Sequence, residues 1–273
     1  MAENYDAIIC GSDQIWNTSA RDFSDAYFLP GISNKKITYA VSCGSHIEAV
    51  DIGKILNNAK SFSYNFFRER SRLIELQNLG LASSKVVLDP TLLLNAEKYD
   101  KLISSNLNER VQKGKFIFLY TINYNDQILR TVKTIGEALN LPVITLFTGY
   151  SVYKCMKYGI KVIYDATPDV FLWLTKNASI CCTNSFHGTA FSILYHKEFY
   201  RLCDKDEAGN YIYDDRIDGL LGELGILNNK IGVGDTFNRY TPDYNDVEKK
   251  LDSLRDESIS YLTDSLDVKG LVV

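Results

Sequence analysis

The chain has 273 residues, of which 45% are hydrophobic and 23% charged, with only 5 prolines. That composition excludes a disordered, collagen-like or low-complexity chain, and the length can bury roughly three quarters of the extended-chain surface in two modest cores. Against 34 acidic residues stand 30 basic ones, a net charge of −4, so the chain has no global electrostatic claim on nucleic acid and no such partner is expected.

Taken in chain order, short apolar strands alternate with longer helical stretches. The opening MAENYDAIICGSDQIWN lacks the positive-then-apolar pattern of a secretory signal, and residues 6–10 (DAIIC) read as a buried strand ending at Gly11. Residues 36–41 (KITYAV) form a second strand, and residues 61–66 a weaker candidate. A charged helical stretch over residues 69–78 closes at Gly80, and residues 85–88 make a short strand before Asp89-Pro90. Continuous apolar runs of this kind suggest strands covered on both faces, as in parallel sheets.

The polar stretch 95–114 carries the expected domain boundary, giving domains at 1–108 and 109–240. The alternation then restarts with strands at 115–120, 142–147, 179–182 and 198–202, and helices at 127–139, 169–176, 185–195 and 215–224. Strands alternating with helices imply βαβ units and a doubly wound parallel sheet. A last helix, 247–262, lies in a C-terminal segment (241–273) expected to pack across the domains, with 271–273 as a possible terminal strand.

None of the apolar runs approaches the roughly 20 residues that span a bilayer, so no transmembrane segment is expected. Six cysteines without a CxxC spacing read as reduced, buried thiols, and three histidines without a ligand pattern argue against a metal site. These readings point to the cytoplasm.

In open α/β sheets ligands bind beyond the carboxyl ends of the strands, and three such places carry suitable chemistry. The first is Gly11, Ser12, Asp13 and Gln14, where glycine admits close backbone approach and the next three offer hydroxyl, carboxylate and amide groups. The same residues also read as a tight turn capping a helix, with Trp16 as core. The second is Asn184, Ser185, His187, Gly188 and Thr189, at a helix start whose unpaired N–H groups attract phosphate or carboxylate. His187 there can donate to a phosphate or move a proton, or can simply be satisfied by a local cap. The third is Arg68, in a charge run that either orients a small anion or forms a solvated helical face. Arg216 carries the same ambiguity, and His196 reads as a helix-dipole partner. His46 belongs to no constellation.

The ordered pieces GSDQIWN, KITYAVSCGS, FRE, VLDPTLLL, TPDVFLWL and TNSFHGTAFSILYHKEFY resemble the polysaccharide pyruvyl transferase family, and DRIDGLLGELGI does so more weakly. The resemblance implies an α/β, glycosyltransferase-B-like fold of two Rossmann-like domains facing a cleft. Family members open with a further strand, glycine-rich loop and helix before the GSDQ strand, so the N-terminal domain is expected to be incomplete. The implied activity transfers an enolpyruvyl-derived unit from phosphoenolpyruvate to a sugar or lipid-linked oligosaccharide acceptor. It needs no cofactor and takes place in the cytoplasm, with the inner face of the membrane as a further expected place. By resemblance Arg68 and His187 fall on substrate-binding and catalytic positions. Two rival readings stay open: a nucleotide-sugar glycosyltransferase, and a non-catalytic family member.

Overall fold

The computed structural model describes residues 4–44, 49–105, 107, 114–149 and 152–267. Ser45 and His46, the expected boundary at 108/109 and the expected terminal strand lie outside the described residues. The chain divides into two units. One comprises Met1–Leu93, Asp214–Leu224 and Glu248–Val273, and the other Leu94–Tyr213 and Gly225–Val247.

The first unit is built on four short parallel strands: β1 (Ala7–Cys10), β2 (Lys35–Thr38), β3 (Asn65–Phe67) and β4 (Ser84–Val86). β1 pairs with β2 and β3 with β4, and isolated parallel bridges Ile37–Tyr64 and Val41–Phe67 join the two pairs. Helix α1 (Ala49–Ala59) precedes β3, and α2 (Arg70–Asn78) follows it. The core gathers around the fully buried Trp16, whose indole meets Phe28, Phe62 and Phe67 at centroid distances of 5.3, 5.5 and 5.8 Å. Trp16 is therefore core, as the turn-and-cap reading expects. β1 departs from expectation: Ile9 is 46% exposed, so β1 is not covered on both faces.

After β4 come the short helices α3 (Pro90–Leu93) and α4 (Ala96–Asp100). The second unit then holds a six-stranded parallel sheet in the order β10-β9-β8-β5-β6-β7. Its strands are β5 (Ile117–Tyr120), β6 (Val143–Leu146), β7 (Lys161–Ile163), β8 (Ile180–Thr183), β9 (Phe199–Leu202) and β10 (Lys230–Ile231). The intervening helices are α5 (Asp126–Leu139), α6 (Val152–Lys157), α7 (Pro168–Asn177) and α8 (Phe186–Leu194). Asn125 caps α5 through its side chain, and the buried stripe Ile128, Leu129, Val132 and Ile135 recurs at helical spacing against β5 and β6. Chain direction from β5 runs one way to β6 and β7 and the other way to β8, β9 and β10. The topological switch point therefore lies between β5 and β8, where such sheets open a crevice at the strands' carboxyl ends.

Two further helices follow, α9 (Asp215–Leu224) in the first unit and α10 (Tyr244–Leu266). Within the first unit Ser258 Oγ of α10 accepts from the Leu88 N–H at 2.9 Å, and Tyr261 stacks on Phe66. No helix among the described residues is long and apolar enough to cross a membrane. All six cysteines are buried and in no disulfide, and burial pushes the Cys10 and Cys181 thiols up to about 11, far from a reactive thiolate.

Candidate functional site

The first unit gathers polar residues from four consecutive strand ends, and those after β1 and β4 meet the Arg68 guanidinium. Ser12 and Asp13 follow β1, Ser42 follows β2, Arg68 and Glu69 follow β3, and Asp89 follows β4. Arg68 Nη2 lies 2.7 Å from Asp89 Oδ2 and donates to Ser12 Oγ at 2.9 Å, while Nη1 is 3.4 Å from Asp13 Oδ1. Ser12 Oγ in turn donates to Asp89 Oδ2 at 3.1 Å. The side chains of Arg68 and Asp89 are 3% and 1% exposed, whereas that of Asp13 is 63% exposed. Burying an ion pair so deeply is a weak source of stability, because desolvation offsets the attraction. Its result is a rigidly aimed guanidinium with an open rim at Asp13.

Backbone constraints build this cluster. Gly11 has φ +149°, and a Cβ there would lie 2.0 Å from the Tyr39 carbonyl oxygen. Asp13 has φ 50°, in the left-handed region that Asp tolerates better than most residues. The Ser42 N–H donates to the Asp13 carbonyl at 2.9 Å, and the Trp16 N–H to the Ser42 carbonyl at 3.2 Å, so the loop after β1 is tied to the end of β2. Gln14 turns aside from Arg68, its Oε1 accepting from Asn17 at 2.9 Å. Glu69 heads α2 without a side-chain cap and sends its carboxylate inward to accept from Ser42 Oγ. Its other oxygen, Oε2, is buried with no hydrogen-bond partner among the described residues. Burial pushes the Glu69 carboxyl up to about 7, against the opposing pull of the Ser42 hydroxyl and the Arg68 and Arg216 charges.

The second unit presents the other cluster at its switch point. Ser185 caps α8, its Oγ accepting from the Gly188 N–H at 3.4 Å. Asn184 Oδ1 accepts from Thr121 Oγ1 at 2.8 Å and from the Ile122 N–H at 3.0 Å, tying the loop after β8 to the loop after β5. Thr189 is fully buried, and its hydroxyl donates to the Ser185 carbonyl at 3.0 Å. Gly188 has a packing reason: a Cβ there would lie 2.2 Å from Thr183 Oγ1 and 3.0 Å from the Tyr120 ring. What approaches its backbone is the chain's own β8 and β5. His187, half-buried in the first turn of α8, stands with its ring 5.5 Å from that of Phe186, edge to face. Beside this turn, a cavity of about 400 Å³ opens at the ends of β5 and β6, lined by Tyr120, Thr121, Asn123, Tyr124, Thr148 and Lys154 among others.

Each cluster can take an anion, one through a fixed guanidinium and the other through a nine-residue helix whose N-terminus carries partial positive charge. The sequence profile of the polysaccharide pyruvyl transferases matches residues 2–202, which includes both. The chain belongs to the polysaccharide pyruvyl transferase family. Among solved structures, it is similar to the UDP-GlcNAc 2-epimerase from Methanocaldococcus jannaschii, with a TM-score of 0.57 and 15% identity over 92% of this chain and 70% of that one. It is also similar to S. aureus MnaA, determined with UDP, with a TM-score of 0.55 and 13% identity over 96% of this chain and 70% of that one. These likenesses establish the α/β, glycosyltransferase-B-like fold. A comparison with curated protein sequences gives no match.

Of the residues singled out in this family member's sequence, Ser12, Asp13 and Arg68 come together in one unit. Asn184, Ser185, His187, Gly188 and Thr189 share the start of α8 in the other. Asp89 and Glu69 complete the Arg68 cluster and were not among the expected site residues, although both lie in family-like pieces, VLDPTLLL and FRE. His196 takes a left-handed backbone conformation just after α8 and stacks on Tyr244 at 4.6 Å.

The Glu69 carboxyl has a consequence for stability. Its folded-state value near 7 lies above the ordinary 4.5, so the folded protein holds a proton that the unfolded chain has released between those values. Stability from this group is full below about pH 4.5 and declines as pH rises to about 7, by a total of about 3 kcal/mol. Glu69→Gln removes that decline. The variant is expected to melt several degrees above the parent at pH 8 and to gain nothing at pH 4. Parallel melting curves across pH check this, and equal melting points at pH 8 would contradict it.

Proposed function

We propose that this family member transfers the enolpyruvyl-derived unit of phosphoenolpyruvate to two hydroxyls of a sugar, forming a cyclic pyruvate ketal and releasing phosphate. The observation that carries the reading is the family match over residues 2–202, with an anion-ready histidine-bearing helix start and a buried arginine inside it. In the second unit the phosphate meets the N–H groups of the first turn of α8 and the His187 imidazole, and in the first unit the Arg68 guanidinium is a group that takes a carboxylate or phosphate.

The reaction balances without an oxidant or reductant. Protonation of the methylene carbon leaves the adjacent carbon electron-poor, and a sugar hydroxyl adds there, losing its proton. The carbon–oxygen bond to phosphate then breaks, phosphate leaving with the electron pair. A second hydroxyl adds at the same carbon and its proton goes to the departing phosphate. His187 delivers the proton to carbon or steadies the leaving phosphate. The acceptor is a sugar of a cell-surface polysaccharide or of its lipid-linked precursor. The cavity beside α8, with tyrosine faces, an amide, hydroxyls and Lys154, has the mixed apolar and polar lining that suits a pyranose.

Calorimetry separates this reading from glycosyl transfer out of a nucleotide sugar. The protein is expected to bind phosphoenolpyruvate and not UDP-GlcNAc. Arg68→Lys keeps the charge but loses the forked donor geometry, and is expected to weaken phosphoenolpyruvate at least about tenfold. Tight UDP-GlcNAc binding with none of phosphoenolpyruvate would reverse the assignment.

A further inference from the structure

Arg216 opens α9, a segment that belongs to the first unit although the chain reaches it after most of the second. It also lies beyond residues 2–202, so the family match does not cover it. Two contacts dock α9 on the start of α2: Ser71 Oγ donates to Asp215 at 2.5 Å, and Arg70 Nε donates to Glu223 at 3.0 Å. These fix Arg216 next to the residues that follow β3. Its side chain is 10% exposed. Asp214 grips one edge of the guanidinium, Oδ1 accepting from Nε at 3.0 Å and Oδ2 from Nη2 at 2.7 Å.

Nη1 makes no hydrogen bond among the described residues. The carboxylates whose charge reaches this guanidinium besides Asp214 are Glu69 and Asp13. Asp13 is the same exposed carboxylate that sits 3.4 Å from Arg68. Asp13 therefore lies under the influence of two guanidinia, each already held from behind by a carboxylate of its own, Asp89 for Arg68 and Asp214 for Arg216. An arginine held on one edge loses little freedom when its other edge takes a ligand, which favours bidentate recognition of a planar anion.

We propose that Arg216 is a second anion-binding residue of the Arg68 site, its Nη1 edge taking a carboxylate or phosphate oxygen that competes with the Asp13 carboxylate for the two guanidinia. The anion is phosphoenolpyruvate if the proposed function is right, and to that extent the inference rests on it. Asp13 is then a competitor for the bound anion: its carboxylate moves outward toward solvent as the ligand enters, and its loss helps binding.

Calorimetry on the full chain, with phosphoenolpyruvate and with inorganic phosphate, tests this. Arg216→Gln is expected to weaken anion binding at least about tenfold, the effect of removing a charged hydrogen bond. Asp13→Asn is expected to strengthen it about threefold, the scale of an exposed charge pair. An unchanged affinity in Arg216→Gln, or an unchanged or weaker one in Asp13→Asn, overturns the inference, and does so without touching the proposed function if Arg68→Lys still loses phosphoenolpyruvate. Should Arg216→Gln fail to fold, the sign of the Asp13→Asn effect decides alone. If the parent binds phosphate but not phosphoenolpyruvate, the donor assignment falls, and the inference stands or falls with the phosphate result. Binding of neither anion overturns both.

Discussion

Replacing His187 by alanine is expected to lower turnover at least about a hundredfold and to leave the fold intact. A positioned proton donor contributes roughly 100- to 10,000-fold, and stabilisation of charge developing on a leaving phosphate contributes comparably. Either role gives a loss of this size. The fold survives because Ser185, Thr183 and Thr189 build the first turn of α8 without the imidazole: Thr183 Oγ1 accepts from the Ser185 N–H at 3.0 Å, and Ser185 Oγ accepts from Gly188. Turnover is read as phosphate release from phosphoenolpyruvate, and the fold by the melting point. Parent-like turnover in the variant removes His187 from the chemistry.

Gly11→Ala has the largest expected effect on stability. A methyl group there would sit 2.0 Å from the Tyr39 carbonyl oxygen and 2.9 Å from its carbon, and both are backbone atoms. Neither can swing aside, because the Tyr39 N–H is already bonded to the Cys10 carbonyl at 2.8 Å in the β1–β2 pairing. The backbone must also keep φ +149°, which an L side chain resists. Overpacking and backbone strain together cost about 3 kcal/mol or more, a fall of about 10 °C in melting point. Because Ser12 and Asp13 follow directly, the Arg68 cluster is disturbed with the strand. Gly53→Ala in α1 is the natural control. Nothing lies within 4 Å of the added methyl, so alanine there is neutral or stabilising by about 0.5 to 1 kcal/mol. Equal melting points for the two variants would contradict the assignment.

How much of this was legible in the sequence varies by element. The helix at residues 215–224 has the bounds its amphipathic pattern predicts, and α8 starts at the cap that Ser185 supplies. Helix α1 was not anticipated, although its buried or half-buried Ile52, Ile55, Leu56 and Ala59 carry helical spacing that a closer count of periodicity finds. β7 is a three-residue edge strand with no fully buried residue, and α6 buries only Cys155, so neither leaves an apolar pattern long enough to read.

At the site, the rule that ligands meet the carboxyl ends of strands was enough to mark the GSDQ loop, Arg68 and the Ser185 helix start. It could not say that Glu69, in the charge run Arg68-Glu69-Arg70, turns inward to Ser42 while Arg70 reaches Glu223 at the surface. Which member of a charge run is buried depends on the neighbouring strand end, and that is a tertiary fact. The pairing of Arg68 with Asp89 is likewise set by β3 and β4 lying side by side, which no local spacing encodes.

The most direct measurement follows phosphate released from phosphoenolpyruvate by the purified chain, in the presence and absence of galactose- and mannose-containing acceptors, together with the ketal formed. Pyruvyl transfer predicts phosphate release that depends on an acceptor, matches the ketal in amount and collapses in His187→Ala. Phosphoenolpyruvate that binds yet is never turned over with any acceptor, or transfer of a sugar from UDP-GlcNAc in its place, would contradict it.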